Sequence, residues 1–453
     1  MTLLKQIERA NRKGSTVIRL TSESEELTDP SITRHGDWCG LTSDIEDELE
    51  IIRHLSRLKG HSSYWITPSI PPHFDVEQSL AVSKFFKSKL VVLCGSGGAG
   101  KTTVLVQIVK SLLEANVAES EIAIISPLAV IASRLGSKCG IAGYTIHRLL
   151  GFKQHEDGVF EPLHDESRPL PQTFFIIDEA TLVSNKLALA LFRAIPTGAR
   201  VLIAGDKKQL KGVGKGDVFE SLTKLPESVA YVIELVNNYR HKGSGIERFA
   251  EQITSTGEPE EFSSFDDLKF SFTTSDEHTY EVLRKKLKKI GADGLRGVQI
   301  LCPEHDGILG TKSLNSLAIQ IVSIGERVMF TSNNYRWSLF NGQSGIIKSS
   351  NENMTTIEVM GRLFKIETES LWDVVEPAYA LTPNRCQGAE FALVIMVIPH
   401  KRTHIDLCWT YACCTRAKQC LAIVGSESEF RKAIRFKEVR NTLMNEISKS
   451  CYL

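Results

Sequence analysis

Residues 90–103 read LVVLCGSGGAGKTT and decide the fold of this chain. The apolar run Leu90–Leu93 predicts a short buried strand. Residues 95–102, here called the phosphate loop, fit G-x-x-x-x-G-K-[ST] at every fixed position, and the helical pattern VLVQIVKSLLEA follows. Small residues let such a loop curl until its backbone N–H groups point at a phosphate, and the helix adds the positive end of its dipole. The stretch therefore predicts a nucleotide site at a strand end of an α/β sheet.

Two side chains of this stretch have predicted chemical roles. Lys101 is expected to reach the β- and γ-phosphates of a nucleoside triphosphate, and Thr102 to hold Mg²⁺ through its hydroxyl. The alternative is a glycine-rich loop that binds no ligand, but this alternative does not explain the lysine at position 101.

The composition limits the class of protein. At 453 residues, of which 42% are apolar and 24% charged, the chain is long enough for about three domains with real cores. The formal net charge is zero, so a nucleic-acid site must be a local groove. A membrane span needs about 18 consecutive apolar residues, and the sequence contains no such run. The N-terminus has no signal-peptide pattern. We therefore expect no membrane association.

The ten cysteines are scattered and include no C-x-x-C pair, which favours reduced thiols in a cytoplasmic protein. His400, His404 and Cys408 lie four residues apart and would share one face of a helix, as metal ligands can. Since no fourth ligand is evident, we favour an ordinary helix over a metal site.

Proline residues and changes of pattern predict three domains. Residues 41–59 have helical apolar spacing, and the proline-rich joint at 67–72 follows. We expect a small accessory domain at 1–72, without assignable chemistry. We place a first α/β domain at 73–236 and a second at 237–453.

Further buried strands carry polar residues at their carboxyl ends. Thr173–Ile177 leads to Asp178-Glu179, and Arg200–Ala204 leads to GDKKQL, which contains Gln209. In an open parallel sheet, ligands bind beyond these strand ends. One carboxylate is expected to hold Mg²⁺ and the other to orient or deprotonate the attacking water. Gln209 is well placed to sense the γ-phosphate.

Other candidates have ordinary structural explanations. An amide such as that of Gln78 can read an adenine edge, but an exposed helix position is the more frequent case. Thr145 and His147 fit either a phosphate contact or a helix cap. Arg240 and Arg416 are candidates for the cation that stabilises a transferring phosphoryl group, although most single arginines form surface ion pairs.

Two insertions interrupt the α/β pattern. Residues 151–171 are polar, with Asp157-Gly158 between alternating segments, which predicts a projecting β-hairpin. Residues 325–375 are dense in short strands and turns, and we expect a small all-β insert there.

Taken in order, the segments of this chain resemble superfamily 1 helicases of the RecD/Dda-like branch, from phage or bacteria. The similar segments span residues 74–420 and are FDVEQ, GSGGAGKTT, SPLA, TIHRLL, IIDEA, GDKKQL, NNYR, LCPEHDGILGT, GERVMFTSNNY, FNGQSG, AYALTPNRCQGAE and YACCTRA. The resemblance implies two RecA-like motor domains that close on ATP and Mg²⁺. It also implies that the 151–171 hairpin splits the duplex and that the 325–375 insert is SH3-like.

The resemblance assigns roles residue by residue. The implied nucleotide-binding residues are Gln78, Gly95, Gly97, Gly98, Ala99, Gly100, Lys101, Thr102 and Thr103. The implied catalytic residues are Lys101, Asp178, Glu179, Gln209, Arg240 and Arg416, with Thr102 and Asp178 toward Mg²⁺. The implied contacts to single-stranded DNA are Pro127, Thr145, His147, Asn334, Thr382 and Arg385.

The chain departs from the family pattern at two places. The family usually has histidine and lysine before the late Gln-Gly, whereas this chain has Asn384 and Arg385. Arg385 keeps a charge for phosphate. Small or hydroxyl residues usually precede the late Thr-Arg pair, and here Cys413 and Cys414 are expected to pack.

The resemblance favours an ATP-dependent DNA helicase over two alternatives. The favoured enzyme translocates 5′→3′ on single-stranded DNA and separates duplexes in replication, recombination or repair, as a cytoplasmic monomer on forked DNA, with possible replication or recombination partners. The first alternative is a DNA-stimulated ATPase that remodels protein–DNA complexes without strand separation. The second is a phosphate-loop binding module that is not a motor.

Overall fold

The chain forms two compact units. The computed structural model describes residues 3–20, 29–58, 66–154, 160–239, 243–257, 262, 264–322, 327–334, 337, 339–401 and 403–449. The first unit consists of Met1–Lys207, Lys211–Tyr239 and Val439–Leu453, and the second of Lys208–Leu210 and Arg240–Glu438.

The first unit begins with an N-terminal module in which a central antiparallel strand pairs with its two neighbours. Its elements are α1 (Leu3–Asn11), β1 (Val17–Arg19), β2 (Ile32–His35), β3 (Trp38–Leu41) and α2 (Thr42–Arg57). The strand order is β1-β3-β2. The helix predicted at 41–59 is confirmed as α2, whereas the three short strands were not predicted.

A parallel sheet with helices forms the rest of the first unit. Its elements are α3 (Val76–Lys87), β4 (Leu90–Gly95), α4 (Lys101–Glu114), a 3-10 turn (Glu119–Glu121), β5 (Ile122–Ser126), α5 (Ala129–Cys139), β6 (Gly143–Thr145), α6 (Ile146–Leu149), β7 (Lys153–Gln154), β8 (Phe160–Glu161), β9 (Phe174–Ile177), a 3-10 turn (Ala180–Leu182), α7 (Asn185–Ala194), β10 (Arg200–Gly205), α8 (Val218–Leu222) and β11 (Tyr231–Leu235). The strand order is β11-β4-β10-β9-β5-β6, and each pairing is parallel. Every residue of β4 and β10 is buried, as expected for central strands covered on both faces.

The second unit contains another parallel sheet and an antiparallel one. Its elements are α9 (Gly245–Ser255), β12 (Leu268–Phe272), α10 (Asp276–Leu295), β13 (Val298–Leu301), α11 (Thr311–Ile319), β14 (Arg327–Phe330), β15 (Ser344–Ser350), β16 (Met354–Val359), β17 (Arg362–Glu367), α12 (Leu371–Val374), β18 (Val375–Pro377), β19 (Ala380–Leu381), a 3-10 turn (Pro383–Cys386), β20 (Phe391–Ile398), α13 (Leu407–Cys414), β21 (Ala417–Gly425) and α14 (Glu427–Arg435). The parallel sheet has the order β12-β21-β20-β13-β19. The antiparallel sheet, ordered β17-β16-β15-β14-β18, confirms the all-β insert predicted near 325–375.

The end of the chain returns to the first unit. Residues from Val439 onward, which include α15 (Leu443–Lys449), cluster with that unit. Met444 shares a buried hydrophobic cluster with Ile51 and Leu55 of α2 and with residues of the parallel sheet. Sequence reasoning had placed the tail in the second α/β domain and the N-terminal residues in a separate domain. Both belong to one core because their apolar faces cover each other.

The helix favoured for residues 400–408 is wrong for residues 400–406. Helix α13 begins at Leu407, after His400 and His404. His400 instead bonds Thr273 Oγ1 through Nε2 over 3.0 Å, and its backbone N–H donates to Asp276. Asp406 sets the start of the helix because its side chain accepts from the backbone N–H of Trp409. Within the described ranges, no three His, Cys, Asp or Glu side chains form a group that could hold a metal ion. No described helix combines the length and hydropathy needed to cross a bilayer.

Candidate nucleotide site

The phosphate loop joins β4 to α4 with two residues in left-handed conformations. Gly98 has φ 94° and Gly100 has φ 89°, values that favour glycine because a Cβ would strain the backbone. Gly100 is the N-cap of α4, and no side chain caps this helix. The first N–H groups of α4 are therefore available to a ligand, which is the arrangement that binds phosphate at helix N-termini.

Lys101 lies across its own loop. Its Nζ donates to the carbonyl oxygens of Gly95 over 2.6 Å and of Ser96 over 3.2 Å. These carbonyls hold the ammonium group over the loop, where it can add charge to a bound phosphate. Thr102 is half-buried in the next position of α4. The geometry therefore agrees with the phosphate role predicted for Lys101.

Asp178 and Glu179 follow β9 directly, two strands away from β4 at the same edge of the sheet. Asp178 is 6% exposed, and burial raises its pKa while the positive charge of Lys101 opposes that rise. Its Oδ1 accepts the backbone N–H of Glu179 over 2.9 Å. Glu179 has φ 55°, a left-handed conformation that costs a non-glycine residue about 1–3 kcal/mol and is commonest at functional sites. A buried carboxylate beside a lysine suits an Mg²⁺–phosphate site.

Gln78 is not the exposed helix residue that the sequence alone favoured. It is 5% exposed, and a Cβ built on Gly100 would lie 2.3 Å from its Nε2. A capping box fixes it: Asp75 Oδ1 accepts from the Gln78 backbone over 2.7 Å, and Gln78 Oε1 accepts from the Asp75 backbone over 3.4 Å. The amide is buried because it packs onto the phosphate loop.

Asp75 and Tyr239 belong to this site and were missed by sequence reasoning. Tyr239 donates its backbone N–H to Gly98 over 3.1 Å and its hydroxyl to Asp75, and its ring remains 54% exposed. Burial acts to raise the pKa of Asp75, but hydrogen bonds from Tyr239, Gln78 and Asn237 outweigh it and lower that pKa. Sequence reasoning considered only the arginine of the NNYR segment, and its Tyr239 contacts the loop.

Two of the other predicted catalytic residues belong to the second unit. Gln209 is buried in the segment Lys208–Leu210, which belongs to the second unit. Arg416, also of that unit, is 5% exposed and donates to the carbonyls of Ala412 and Ala389, each over 3.3 Å. Arg240 lies outside the described residues. The roles of these three side chains toward a phosphate stay predictions.

Comparison with known proteins finds one family model and several similar proteins. The family model described as an AAA domain matches residues 73–270. The chain is 28% identical over 393 residues to the ATP-dependent RecD2 DNA helicase of Deinococcus radiodurans, covering 82% of this chain and 52% of that protein. It is 25% identical over 417 residues to the RecBCD enzyme subunit RecD of Mycolicibacterium smegmatis, covering 81% and 74% of the two chains.

The chain is thus similar to RecD-type helicases over about four fifths of its length. A solved structure of Pif1 helicases at forked double-stranded DNA shares the fold, with TM-score 0.51, 19% identity, and coverage of 78% of this chain and 92% of that one. The chain spans about half the length of the Deinococcus relative. The predicted RecA-like α/β class is confirmed.

The DNA candidates of the first unit lie near the carboxyl end of β5 and around β6. Pro127 follows β5 directly. Thr145 caps α6 by accepting the backbone N–H of Arg148 over 3.2 Å, so the cap alternative is observed. The exposed His147 ring lies 5.0 Å from that of Phe152, and partial burial lowers its pKa. Their contact with DNA stays a prediction.

The DNA candidates of the second unit are held by neighbours. Asn334 is exposed, and its Oδ1 accepts the backbone N–H of Trp337 over 3.2 Å. Thr382 accepts the backbone N–H of Arg385 over 3.0 Å. The guanidinium of Arg385 forms an ion pair with Glu376, so a phosphate would have to compete with that carboxylate. The two cysteines Cys413 and Cys414 are fully buried in the core, as expected.

The predicted hairpin is present, and its tip at 155–159 lies outside the described residues. Its strands β7 and β8 are antiparallel and only two residues long in the described part. Arg53 of α2 holds the return segment through a double contact with Glu166, at 2.9 and 3.3 Å. The N-terminal module thus braces the base of the hairpin.

Proposed function

We propose that this chain is an ATP-dependent DNA helicase that translocates 5′→3′ on single-stranded DNA and separates forked duplexes. The observation that carries the proposal is the phosphate loop with Lys101 over it and the buried Asp178 at the same sheet edge. RecD-type relatives, one of which is named a DNA helicase, support the choice of activity. Replication, recombination or repair in a bacterial or phage-infected cytoplasm is the proposed setting.

The residues of the first unit fit ATP as substrate and Mg²⁺ as its ion. The uncapped N-terminus of α4 and Lys101 would bind phosphate oxygens, and Thr102 with Asp178 would hold Mg²⁺. When bound, the ion would neutralise charge on the transferring phosphoryl group. Glu179 is the proposed orienting group for the attacking water. Gln209, Arg240 and Arg416 are proposed to complete the catalytic set.

Two groups would recognise the base. The Gln78 amide lies at the loop and can offer a donor to a purine edge. The exposed ring of Tyr239, fixed by Asp75, offers a face on which a base can stack. We propose that they select a nucleoside triphosphate over inorganic polyphosphate.

Strand displacement on duplexes with a 5′ or a 3′ tail tests the proposal. The wild-type chain is expected to unwind the 5′-tailed substrate only, and Lys101→Ala to unwind neither. Lys110→Ala is a matched control, because Lys110 is an exposed lysine on the same helix that pairs with Glu114. Unwinding from a 3′ tail alone would contradict the proposed polarity.

Shortening the hairpin separates unwinding from translocation. Removing residues 155–159 is expected to abolish strand displacement while single-stranded DNA still stimulates ATP hydrolysis. Translocation without unwinding in the wild-type chain would instead identify a remodelling ATPase. If single-stranded DNA does not raise the rate of ATP hydrolysis by the wild-type chain, the chain is a binding module and not a motor.

A further inference from the structure

Residues 211–217, KGVGKGD, form a turn that the proposed function does not use, here called the glycine loop. The chain enters the first unit at Lys211, directly after the Lys208–Leu210 segment that contains Gln209. Gly214 has φ 112° and Gly216 has φ 91°, so the loop depends on glycine at both positions. Asn185 closes one side, because a Cβ on Gly216 would lie 1.7 Å from its Oδ1.

Arg440 of the C-terminal tail holds this loop. Its Nη1 lies 3.0 Å from the carbonyl oxygen of Gly212, 3.1 Å from that of Gly214 and 3.2 Å from that of Gly216. Alternate residues thus turn their carbonyls toward one cationic nitrogen. Hydrogen bonds from an ionised donor are stronger than neutral ones, so this contact is the main polar tie between tail and loop.

The N-terminal module closes the other side of the guanidinium. Gly216 donates its backbone N–H to the carbonyl of Gly14 over 2.8 Å. A Cβ on Gly14 would lie 2.4 Å from Arg440 Nε, so the arginine passes directly over this turn. Lys215 of the loop also pairs with the buried Asp44 at 2.7 Å. The arginine therefore lies between two fixed backbone segments.

The position of Arg440 in the sequence indicates which segments this contact connects. The chain leaves the second unit for the last time after Glu438, two residues before Arg440, and its earlier return follows Leu210. One guanidinium therefore joins the two segments at which the chain re-enters the first unit. Gln209 is three residues from Gly212, and a chain of three residues spans at most about 11 Å.

We propose that Arg440 is a positioning residue for Gln209, which it restrains by clamping the glycine loop. The inference rests on the proposed ATPase function and deepens it. Without the hydrogen bonds from Arg440, the glycine loop would be free to move together with the Gln209 segment. With them, the loop stays fixed and limits how far Gln209 can move during ATP hydrolysis.

Amide hydrogen exchange in the full chain tests the clamp without any activity. Arg440→Met keeps the apolar stem and removes the donors, so exchange within 211–217 should rise about tenfold, the change given by about 1.4 kcal/mol of local stability. Arg440→Lys keeps three donors and should restore most of the protection. Lys224→Met is the matched control, because Lys224 bonds the tail at Asn445, away from the loop, over 3.2 Å. Unchanged exchange in Arg440→Met, or an equal rise in the control, would overturn the clamp.

Kinetics test the positioning role. Arg440→Met should lower kcat of DNA-stimulated ATP hydrolysis about three- to tenfold while the KM for ATP stays within about twofold, and Arg440→Lys should recover most of kcat. If the arginine had only a structural role, Arg440→Met would lower the melting temperature without lowering kcat at constant KM, and Arg440→Lys would not restore kcat. A wild-type chain that lacks DNA-stimulated hydrolysis contradicts the proposed function and the positioning role together, whereas the exchange data still decide the clamp.

Discussion

The Gln78 amide packs against the backbone of Gly100, so close that a Cβ on the glycine would come within 2.3 Å of Nε2. The same glutamine completes the capping box of α3 with Asp75, and Asp75 also accepts from Asn237 over 3.1 Å. A helix cap, the phosphate loop and the segment after β11 therefore fix one another. The base side of the candidate site is preorganised by these contacts.

Gly100→Ala should weaken ATP binding at least about tenfold, because the new methyl group both strains a backbone at φ 89° and displaces Gln78. Gly36→Ala is a matched control: Gly36 has φ 59°, but no atom lies within 4 Å of the added Cβ. Titration with a fluorescent ATP analogue gives both dissociation constants. Equal affinities in the two variants would show that the Gln78 contact is irrelevant to binding.

Tyr239→Ala should weaken ATP binding about tenfold, since stacking of a base on an aromatic ring contributes about 1–3 kcal/mol. Tyr239→Phe keeps the ring and loses only the hydroxyl contact with Asp75, so its affinity should stay within about threefold. Tripolyphosphate, which has no base, should bind all three proteins alike in calorimetric titrations. A comparable loss of tripolyphosphate affinity in Tyr239→Ala would assign the tyrosine to loop structure.

Glu48 should make the stability of the first unit depend on pH. Burial raises its pKa from 4.5 to about 7, against hydrogen bonds from Thr16 and from the Met444 backbone. Because the folded state binds this proton more tightly, the stabilisation is complete below pH 4.5 and is lost as the pH rises through 7, at most about 3 kcal/mol.

Urea unfolding from pH 5 to 8 measures the Glu48 effect as a difference between variants. The free energy of unfolding should fall with pH more steeply in the wild-type chain than in Glu48→Gln. Glu46→Gln, an exposed position of the same helix, should follow the wild-type curve. Parallel curves for wild type and Glu48→Gln would mean that the carboxyl does not change protonation on folding.

Thiol reactivity should follow burial. The described cysteines are all free, and only Cys139 and Cys420 are partly exposed. Burial raises the pKa of Cys94 and Cys386 to about 12, so very little thiolate exists at pH 8. Mass spectrometry after brief iodoacetamide treatment should find label mainly at Cys139 and Cys420, and at every cysteine after denaturation. Early native labelling of Cys386 would show that this core opens readily.

Local pattern predicted most of the sheet strands and the phosphate loop correctly. Leu90–Leu93 and Val201–Ala204 are apolar runs that favour burial, and both lie in central strands. Gln78 could not be placed in this way, because its burial comes from a contact with Gly100 across the fold. His400 and His404 had helical spacing, but Asp406 starts the helix later.

Long-range packing explains what the sequence did not show about the ends of the chain. The apolar face of α2 is covered by α7 and by Met444, almost four hundred residues later, as the backbone contact from Met444 to Glu48 illustrates. No local pattern encodes such a partner. Arg440 gave no signal either, because its ligands are backbone carbonyls of glycines, which carry no side-chain signature.

The return of residues 439–449 to the first unit also sets an order of events during synthesis. The segment 240–438 is continuous, so it can fold on the ribosome as soon as it has emerged. The first unit has its phosphate loop by residue 103 but acquires Arg440 and Met444 only after residues 240–438 have been translated. The core of the first unit, most of which is translated early, is therefore completed only when residues 439–449 have been made.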